Sequence, residues 1–564
     1  MRRTVIRLKG SSIKYSKNLY ICVESQSASE MNRSFFRPLT LVCCVIMLCA
    51  GCRKGPAPAV LPDLGQGFSA EALHAPWSGL DNDTHFDCHS TAERFFFRFE
   101  VSDSTLTLTE PFTNERGVDP EDRVEIFFAP DAALEQPYYC AEIDAMGRVM
   151  DYKACFYRQF DFGWNFLTLK TRAERTPWGY RVAGSVSRAE LASLGLDLEK
   201  GFWMGVFQGE ATPGGEILWY SLVPTDDETP DFHQPKVFFP CRMTQAAELR
   251  GVVVYPDDIT TLGLEEWARR IDEAGLTVIG LHAATVNDPI DTLEAFIRSE
   301  MGRDFLQLCE KKKVAVEYEL HALETLLPRS LFETHPEYFR MTEAGERVPD
   351  YNLCFHSAEA VEAIRPQLER LLEWMKPSSH RYFLWPDDKQ GRYCHCPQCQ
   401  GLSPSEQTLL FENRLLGLLR EYDPQATLAH LAYHETLPAP RQVRAAEGIF
   451  LEYAPILRDY AEALPPAELE ALQDNLLAFP GHSQHILEYW LDESMQARWH
   501  KDALVPLAFE PAQCTRDLAL YREQGGRDFT TFATWLNGSY VRQYGPADAL
   551  FTGYGKAFLT EPVD

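Results

Sequence analysis

Acidic side chains recur wherever short apolar runs of this chain stop. The run Tyr382–Trp385 ends at Pro386-Asp387-Asp388, and Glu317, Glu319 and His321 alternate along another run. His434-Glu435, Glu452, Glu488 and Asp492 close three more. Paired carboxyls can cleave a glycosidic bond: one protonates the leaving oxygen, and the other attacks the sugar or activates water. The expected roles are Asp388 as general acid and Glu488 as nucleophile or base. Glu319, His321, His434, Glu435 and Glu452 are candidate substrate contacts. Trp385, Tyr433, Tyr453, Tyr489, Trp490 and Trp535 supply flat faces for a sugar ring. Two uses compete: helix capping or Arg pairing, and a metal-dependent isomerase or hydrolase with Glu317, Asp388, His434 and Glu452 as ligands.

Three thiols at Cys394, Cys396 and Cys399, with His395 between two of them, form a Cys-x-Cys-x2-Cys cluster. One outcome is a structural zinc on the three thiolates, completed by His395 or another Cys; the other is a disulfide with a spare thiol. A catalytic metal needs an open position, and no His-x-His follows the first strand of this region, which ends Tyr255-Pro256-Asp257-Asp258. No organic cofactor is expected.

These residues need elements to hold them. Over residues 249–557 apolar strands alternate with helical patterns: 251–255, 277–282, 314–321, 382–385, 427–433, 449–453, 486–490 and 529–535. Helices are predicted at 264–274, 358–374, 405–422, 466–477 and 515–524. Eight βα units of this size predict a (β/α)8 TIM-type barrel, whose chemistry sits at the carboxyl ends of its strands. No GxGxxG turn follows the first strand, which argues against an open doubly wound sheet. Residues 63–245 read instead as an all-β sandwich, with short strands at 95–101, 123–128, 138–144, 202–207 and 217–222. The chain is thus multidomain, with a Gly/Pro/Ala linker at 53–62.

Residues 1–52 read as an upstream extension and a lipoprotein signal peptide. Met31 is the expected start, and Arg33 and Arg37 precede the apolar run Leu39–Ala50, as in a secretory signal; the ending Leu48-Cys49-Ala50-Gly51-Cys52 resembles a bacterial lipoprotein box, which implies lipidation of Cys52. An ordinary cleaved signal or an uncleaved anchor are the alternatives. The expected location is the cell envelope, in the outer membrane through a lipid anchor or in the periplasm. A formal net charge of −28 over 564 residues repels phosphate backbones, so no nucleic-acid partner is expected.

The pieces FRFEV (97–101), EDRVEIFF (121–128) and EIDAMGRVMDYKA (142–154), with Trp77, resemble the family 9 carbohydrate-binding modules. The resemblance implies a unit that binds a sugar or packs beside a catalytic domain; for sugar binding Trp164 is the candidate stacking platform and Tyr152 and Arg158 are helpers. WPDD…YCHCPQCQGLSPSEQ (385–407), LEYAPILRDY (451–460) and LEYWLDESMQARW (487–499) resemble bacterial proteins bearing domain of unknown function 4838. That group is similar to glycoside hydrolase barrels, including α-glucuronidases and N-acetylhexosaminidases; the likeness to hexosaminidases implies a substrate-assisted variant, in which Asp387 orients an acetamide of the substrate and Asp388 is the acid. In many of its members Asn-Asp-Gly stands where this chain has Asp387-Asp388-Lys389, so Asp388 matches the shared acid and Asp387 departs. The resemblance implies a glycoside hydrolase, which the leader would export; the alternative is a surface protein that binds glycans without cleaving them.

Overall fold

The computed structural model describes residues 61–70, 72–75, 80–225, 227, 229–283, 289–481 and 484–560. The leader with Cys52, most of the linker and Trp77 lie outside the described residues.

The N-terminal part is a sandwich of two antiparallel sheets. One has the strand order 68–70, 85–90, 94–102, 179–187, 170–176. The other runs 80–81, 74–75, 217–221, 202–211, 123–129, 138–144, 149–155, 159–161, with 239–241 paired to 202–211. Strand 123–129 is buried at every position. Its even residues Val124, Ile126 and Phe128 enter the core between the sheets. Phe127 and Ala129 join a second apolar cluster with Tyr152, Phe207, Phe232 and Phe238 on the far face.

Eight parallel strands then close into a barrel. They are β1 (Leu249–Val254), β2 (Val278–Ala283), β3 (Ala315–His321), β4 (Arg381–Trp385), β5 (Thr427–Ala432), β6 (Ile449–Tyr453), β7 (His485–Glu488) and β8 (Asp528–Phe532). Among the helices around it are α1 (Leu264–Ala274), α2 (Glu300–Lys312), α3 (Arg365–Leu372), α4 (Pro404–Arg420), α5 (Pro466–Ala478), α6 (Pro511–Gln524) and α7 (Asp548–Ala557). Local chemistry sets their ends. Ser403 and Glu406 form a reciprocal capping box at the start of α4, with Pro404 at its first position. One unit departs from the expected repeat. Between β5 and β6 there is only the short turn His434–Thr436, and no α-helix covers that step.

Strand alternation decides what each residue meets. Odd positions of β3, β4, β5 and β7 point into the barrel, as do Phe450 and Glu452 of β6. Phe383 meets Phe450 and His485 across the axis, with ring centroids 5.5 and 5.6 Å apart. The intervening residues Leu384, Leu451, Tyr453, Ile486 and Trp490 pack in the strand–helix layer. At the amino-terminal end of the barrel Arg381 reaches Asp528 at 3.2 Å, His485 at 2.6 Å and Glu317 at 3.6 Å. The sandwich docks beneath that end. Gly481 N–H donates to Asp87 (2.7 Å), His89 meets the Gly525 carbonyl (3.0 Å), and Arg444 pairs with Glu100 (2.9 Å). The opposite end is left open as the mouth.

Candidate active site

A cleft of about 150 Å³ opens at the carboxyl ends of the strands. Its lining includes Tyr255, His282, His321, Trp385, Asp388, Tyr433, Tyr489, Asp492, Trp499, Phe532 and Trp535. Trp385 closes the floor. Its indole N–H donates to Glu452 Oε2 at 2.7 Å, which fixes the ring across the barrel axis. Tyr489 stacks on Phe532 at 5.2 Å to make one wall. Trp535 makes another and holds a left-handed backbone, φ 63°, which costs a non-glycine residue about 1–2 kcal/mol. Such strain persists only where surrounding packing imposes it, and it gathers at functional sites.

Two carboxyls enter this cleft. Asp388 follows β4, is solvent-exposed, and lines the cleft beside the Tyr433 phenol. Burial first, and then the Asp388 charge, hold that phenol protonated far above neutrality, so it acts as a donor. Asp492 lies four residues past the end of β7 and is buried. Its Oδ1 accepts from Ser494 Oγ (2.6 Å), Thr534 Oγ1 (2.6 Å) and the Met495 amide (3.3 Å), which fastens it at the start of helix Glu493–Gln496. Burial raises its pKa despite these donors. The phenol of Tyr433 feels both Asp388 and Asp492.

Two histidines complete the cleft. His282 Nδ1 lies 2.6 Å from the Glu319 carbonyl, and His321 Nδ1 lies 2.5 Å from the Pro386 carbonyl. A carbonyl only accepts, so each Nδ1 carries the proton and each Nε2 is left for other partners. Burial, and then the neighbouring His321, push the pKa of His282 down to about 3, so it is neutral at pH 7.

Several predicted site residues lie elsewhere. Glu488, the expected nucleophile, faces the helices and not the mouth. It is fully buried, 3.2 Å from Arg458 Nη1, and accepts a short hydrogen bond from Tyr521 of α6. Arg458 also pairs with Asp517, which accepts from the Trp490 indole at 3.0 Å. Tyr453 likewise points outward, its hydroxyl 3.0 Å from Glu468 of α5. The expectation that Glu488, Tyr453 and Trp490 line the sugar site is therefore corrected. Asp492, next to the predicted set, is the acid from β7 that reaches the mouth.

Glu319 and Glu452 do face inward, but they lie beneath Trp385 and are fully buried. No hydrogen bond reaches either Glu319 oxygen, and burial first, then the charge of Glu452, raises its pKa well above the usual range. Glu452 is raised in the same direction by burial. A Cβ at Gly280 would sit 2.2 Å from Glu319 Oε1, so a side chain there would have to displace that buried carboxyl. Both glutamates are thus barrel-interior groups and not substrate contacts.

Asp387 is turned away to hold the loop. Its Oδ1 accepts from the Glu324 amide (3.0 Å), its Oδ2 faces Arg329 (3.4 Å), and its own amide donates to Asn352 (2.9 Å). Burial pushes its pKa up to about 6. With His434 and Glu435 it lines a small side cavity of about 30 Å³, which shares His321, Asp388 and Tyr433 with the main cleft. The four ligands of the metal-dependent reading do not converge, since Glu317 sits near Arg381 while Asp388 is at the rim. Among the described residues the group spaced for a metal is Cys354, Cys394, Cys396 and Cys399. His395 is exposed, and Cys354 takes the fourth place expected of it.

The sandwich carries a larger cleft of about 470 Å³. Phe160, Phe162 and Trp219 give it apolar walls, and Arg123, Glu125, Glu142, Arg158 and Asp231 give it charge. Tyr152 is in this cleft and donates to Glu142 at 2.8 Å; Arg158 pairs with Asp231 at 3.1 Å. Trp164 is not in it. It packs half-buried on Tyr139 and Phe166, at 4.9 and 4.8 Å, and Trp219 is the tryptophan that the cleft presents.

The architecture is a closed eight-stranded parallel barrel behind a two-sheet sandwich. Residues 278–490 match the family model described as a domain of unknown function, DUF4838. No curated protein matches the chain. A carbohydrate-binding protein from Bacteroides uniformis aligns at 15% identity, over 31% of this chain and 86% of that one, with a TM-score of 0.27. A family 9 carbohydrate-binding module from Caldicellulosiruptor kristjanssonii, solved with cellotriose, aligns at 15% identity over 31% and 83%, TM-score 0.23. A β-N-acetylhexosaminidase from Bacteroides fragilis aligns at 11% identity over 63% and 77%, TM-score 0.36.

Proposed function

We propose that the chain is an exported glycoside hydrolase whose sandwich holds the glycan that the barrel cleaves. The observation that carries this reading is that Asp388 and Asp492, from the ends of β4 and β7, line one aromatic cleft at the barrel mouth. Desolvation favours a protonated Asp492, which suits the general acid. Asp388, exposed beside the Tyr433 phenol, suits the nucleophile or the base that activates water. His282 and His321 offer Nε2 to sugar hydroxyls, and Trp385, Trp499 and Trp535 offer faces for the ring.

The test is hydrolysis of a panel of aryl-glycosides and glycans by the full chain, Asp388→Asn and Asp492→Asn. Each variant is expected to lose roughly 10²–10⁴-fold in kcat/KM. Cleavage that survives both changes would sink the assignment.

A second reading is favoured by the larger volume of the sandwich cleft: the chain binds glycans there and cleaves nothing. Affinity for cello-oligosaccharides that Trp219→Ala abolishes, with no hydrolysis of any glycan, would select it. Export and lipidation at Cys52 are part of the proposal. Mass spectrometry of the mature N-terminus, expected to show an acylated Cys52, tests them.

A further inference from the structure

The four cysteines stand apart from both glycan clefts and from the main apolar core. Their sulfurs lie within 4.8 Å of one another, and all four residues are buried. Cys354 Sγ is 3.7 Å from Cys396 Sγ and 3.9 Å from Cys399 Sγ. A disulfide would draw a pair to about 2.05 Å. Four thiolates at about 2.3 Å from one tetrahedral zinc stand roughly 3.8 Å apart, which these two separations match. The surrounding backbone suits thiolates. The Met341 amide donates to Cys394 Sγ at 3.3 Å, and Arg347 approaches the same sulfur at 3.8 Å. The amides of Cys399 and Gln400 both donate to the Cys396 carbonyl, at 3.0 and 2.8 Å, in a tight turn that brings Cys396 and Cys399 to the same centre.

The ligands come from two different loops. Cys354 belongs to the long connection after β3, and the other three to the connection after β4. Asn352, two residues before Cys354, accepts from the Asp387 amide and donates to the Arg392 carbonyl at 3.1 Å. We infer that Cys354, Cys394, Cys396 and Cys399 bind one zinc ion, and that this ion clamps the β3 and β4 loops together and so fixes the place of Asp387-Asp388. Four sulfur ligands leave no open position, so the ion is structural. The ligand set stands on its own geometry; only the consequence for Asp388 rests on the hydrolase reading.

The full chain, purified without chelator, is expected to contain one zinc with four sulfur neighbours at about 2.3 Å by X-ray absorption. Cys354→Ser is expected to lose stoichiometric zinc, while His395→Ala and Cys155→Ser keep it. Zinc-free protein with disulfides mapped among these four cysteines would overturn the site. So would zinc retained by Cys354→Ser and lost by His395→Ala. If Cys354→Ser does not fold, stepwise thiol titration of the wild-type chain decides, with one zinc released as four thiols react. The clamp has a readout that needs no substrate: amide exchange in 340–354 and 386–403 should rise at least tenfold when zinc is stripped. Unchanged exchange would refute the clamp while leaving the glycan reading untouched, and loss of hydrolysis in Asp388→Asn would test that reading with zinc in place.

Discussion

Two pairs of carboxyls lie in one barrel, separated by a single indole ring. Above Trp385, Asp388 and Asp492 reach the cleft, the first beside the Tyr433 phenol and the second held by the hydroxyls of Ser494 and Thr534. Below it, Glu319 and Glu452 are sealed from water, and Glu319 has no hydrogen-bond partner. The residue types are nearly the same, and depth separates their chemistry. A carboxyl that water and substrate reach can exchange a proton in each turnover. A carboxyl under the floor keeps its proton and acts on the fold through its desolvation.

The largest expected effect sharpens the upper half of this contrast. Asp388→Asn and Asp492→Asn should each cost about 10²–10⁴-fold in kcat/KM, and the double variant little more, since a pair that acts as a unit is not additive. Glu488→Gln, in the sequence-adjacent position on the wrong face, should leave turnover of folded protein within about threefold, by the same kinetic measurement. Equal losses for Glu488 and Asp492 would erase the distinction between inward and outward faces.

Next comes the strand–helix layer. Arg458 is fully buried between Glu488 and Asp517. Arg458→Ala strands two buried carboxylates and should destabilise the chain by about 3–5 kcal/mol, measured by denaturant unfolding. Wild-type stability there would mean that water already reaches the network.

The lower pair predicts a smaller, pH-dependent effect. Glu319 and Glu452 have pKa values raised in the fold, so the folded state keeps protons that the unfolded chain releases. Their contribution is intact below the unfolded carboxyl value of about 4.3 and is lost as pH rises from there through the folded values. Glu319→Gln should flatten that decline and, at pH 8, raise stability by about 1–3 kcal/mol. Thermal melts from pH 5 to 8 check it; parallel curves for the variant and the wild type would contradict it.

The barrel itself was legible because every strand is a short apolar run closed by Pro, Asp or Gly, and the predicted strand starts fall within two residues of those observed. Which face of each strand turns inward was not. A parallel barrel strand is apolar on both sides, so His485-Ile486-Leu487-Glu488 carries no polar alternation to set the parity. That is why Glu488, Tyr453 and Trp490 were expected at the mouth. On β3 the acids themselves alternate and so share one face, but nothing local tells how deep in the barrel each lies. Cys354 was invisible for another reason. It lies 40 positions before Cys394 in a loop whose path no local pattern specifies. Trp219 was hidden because both faces of its sheet are buried, leaving no contrast between a core aromatic and one that lines a cleft.

The smallest effect concerns the rim. Trp499 is 59% exposed and sits in the left-handed region, φ 56°, at the edge of the cleft. An indole kept in water on a strained backbone gains nothing for the fold, so a bound ring is what would reward its position. Stacking on one face is worth about 0.5–1.5 kcal/mol. Trp499→Ala should therefore raise KM by roughly two- to tenfold and leave kcat within about twofold, because the contact is made equally in the ground and transition states. A fall in kcat at unchanged KM would place Trp499 among the groups that act on the transition state, and the cleft would then extend chemically beyond the two aspartates.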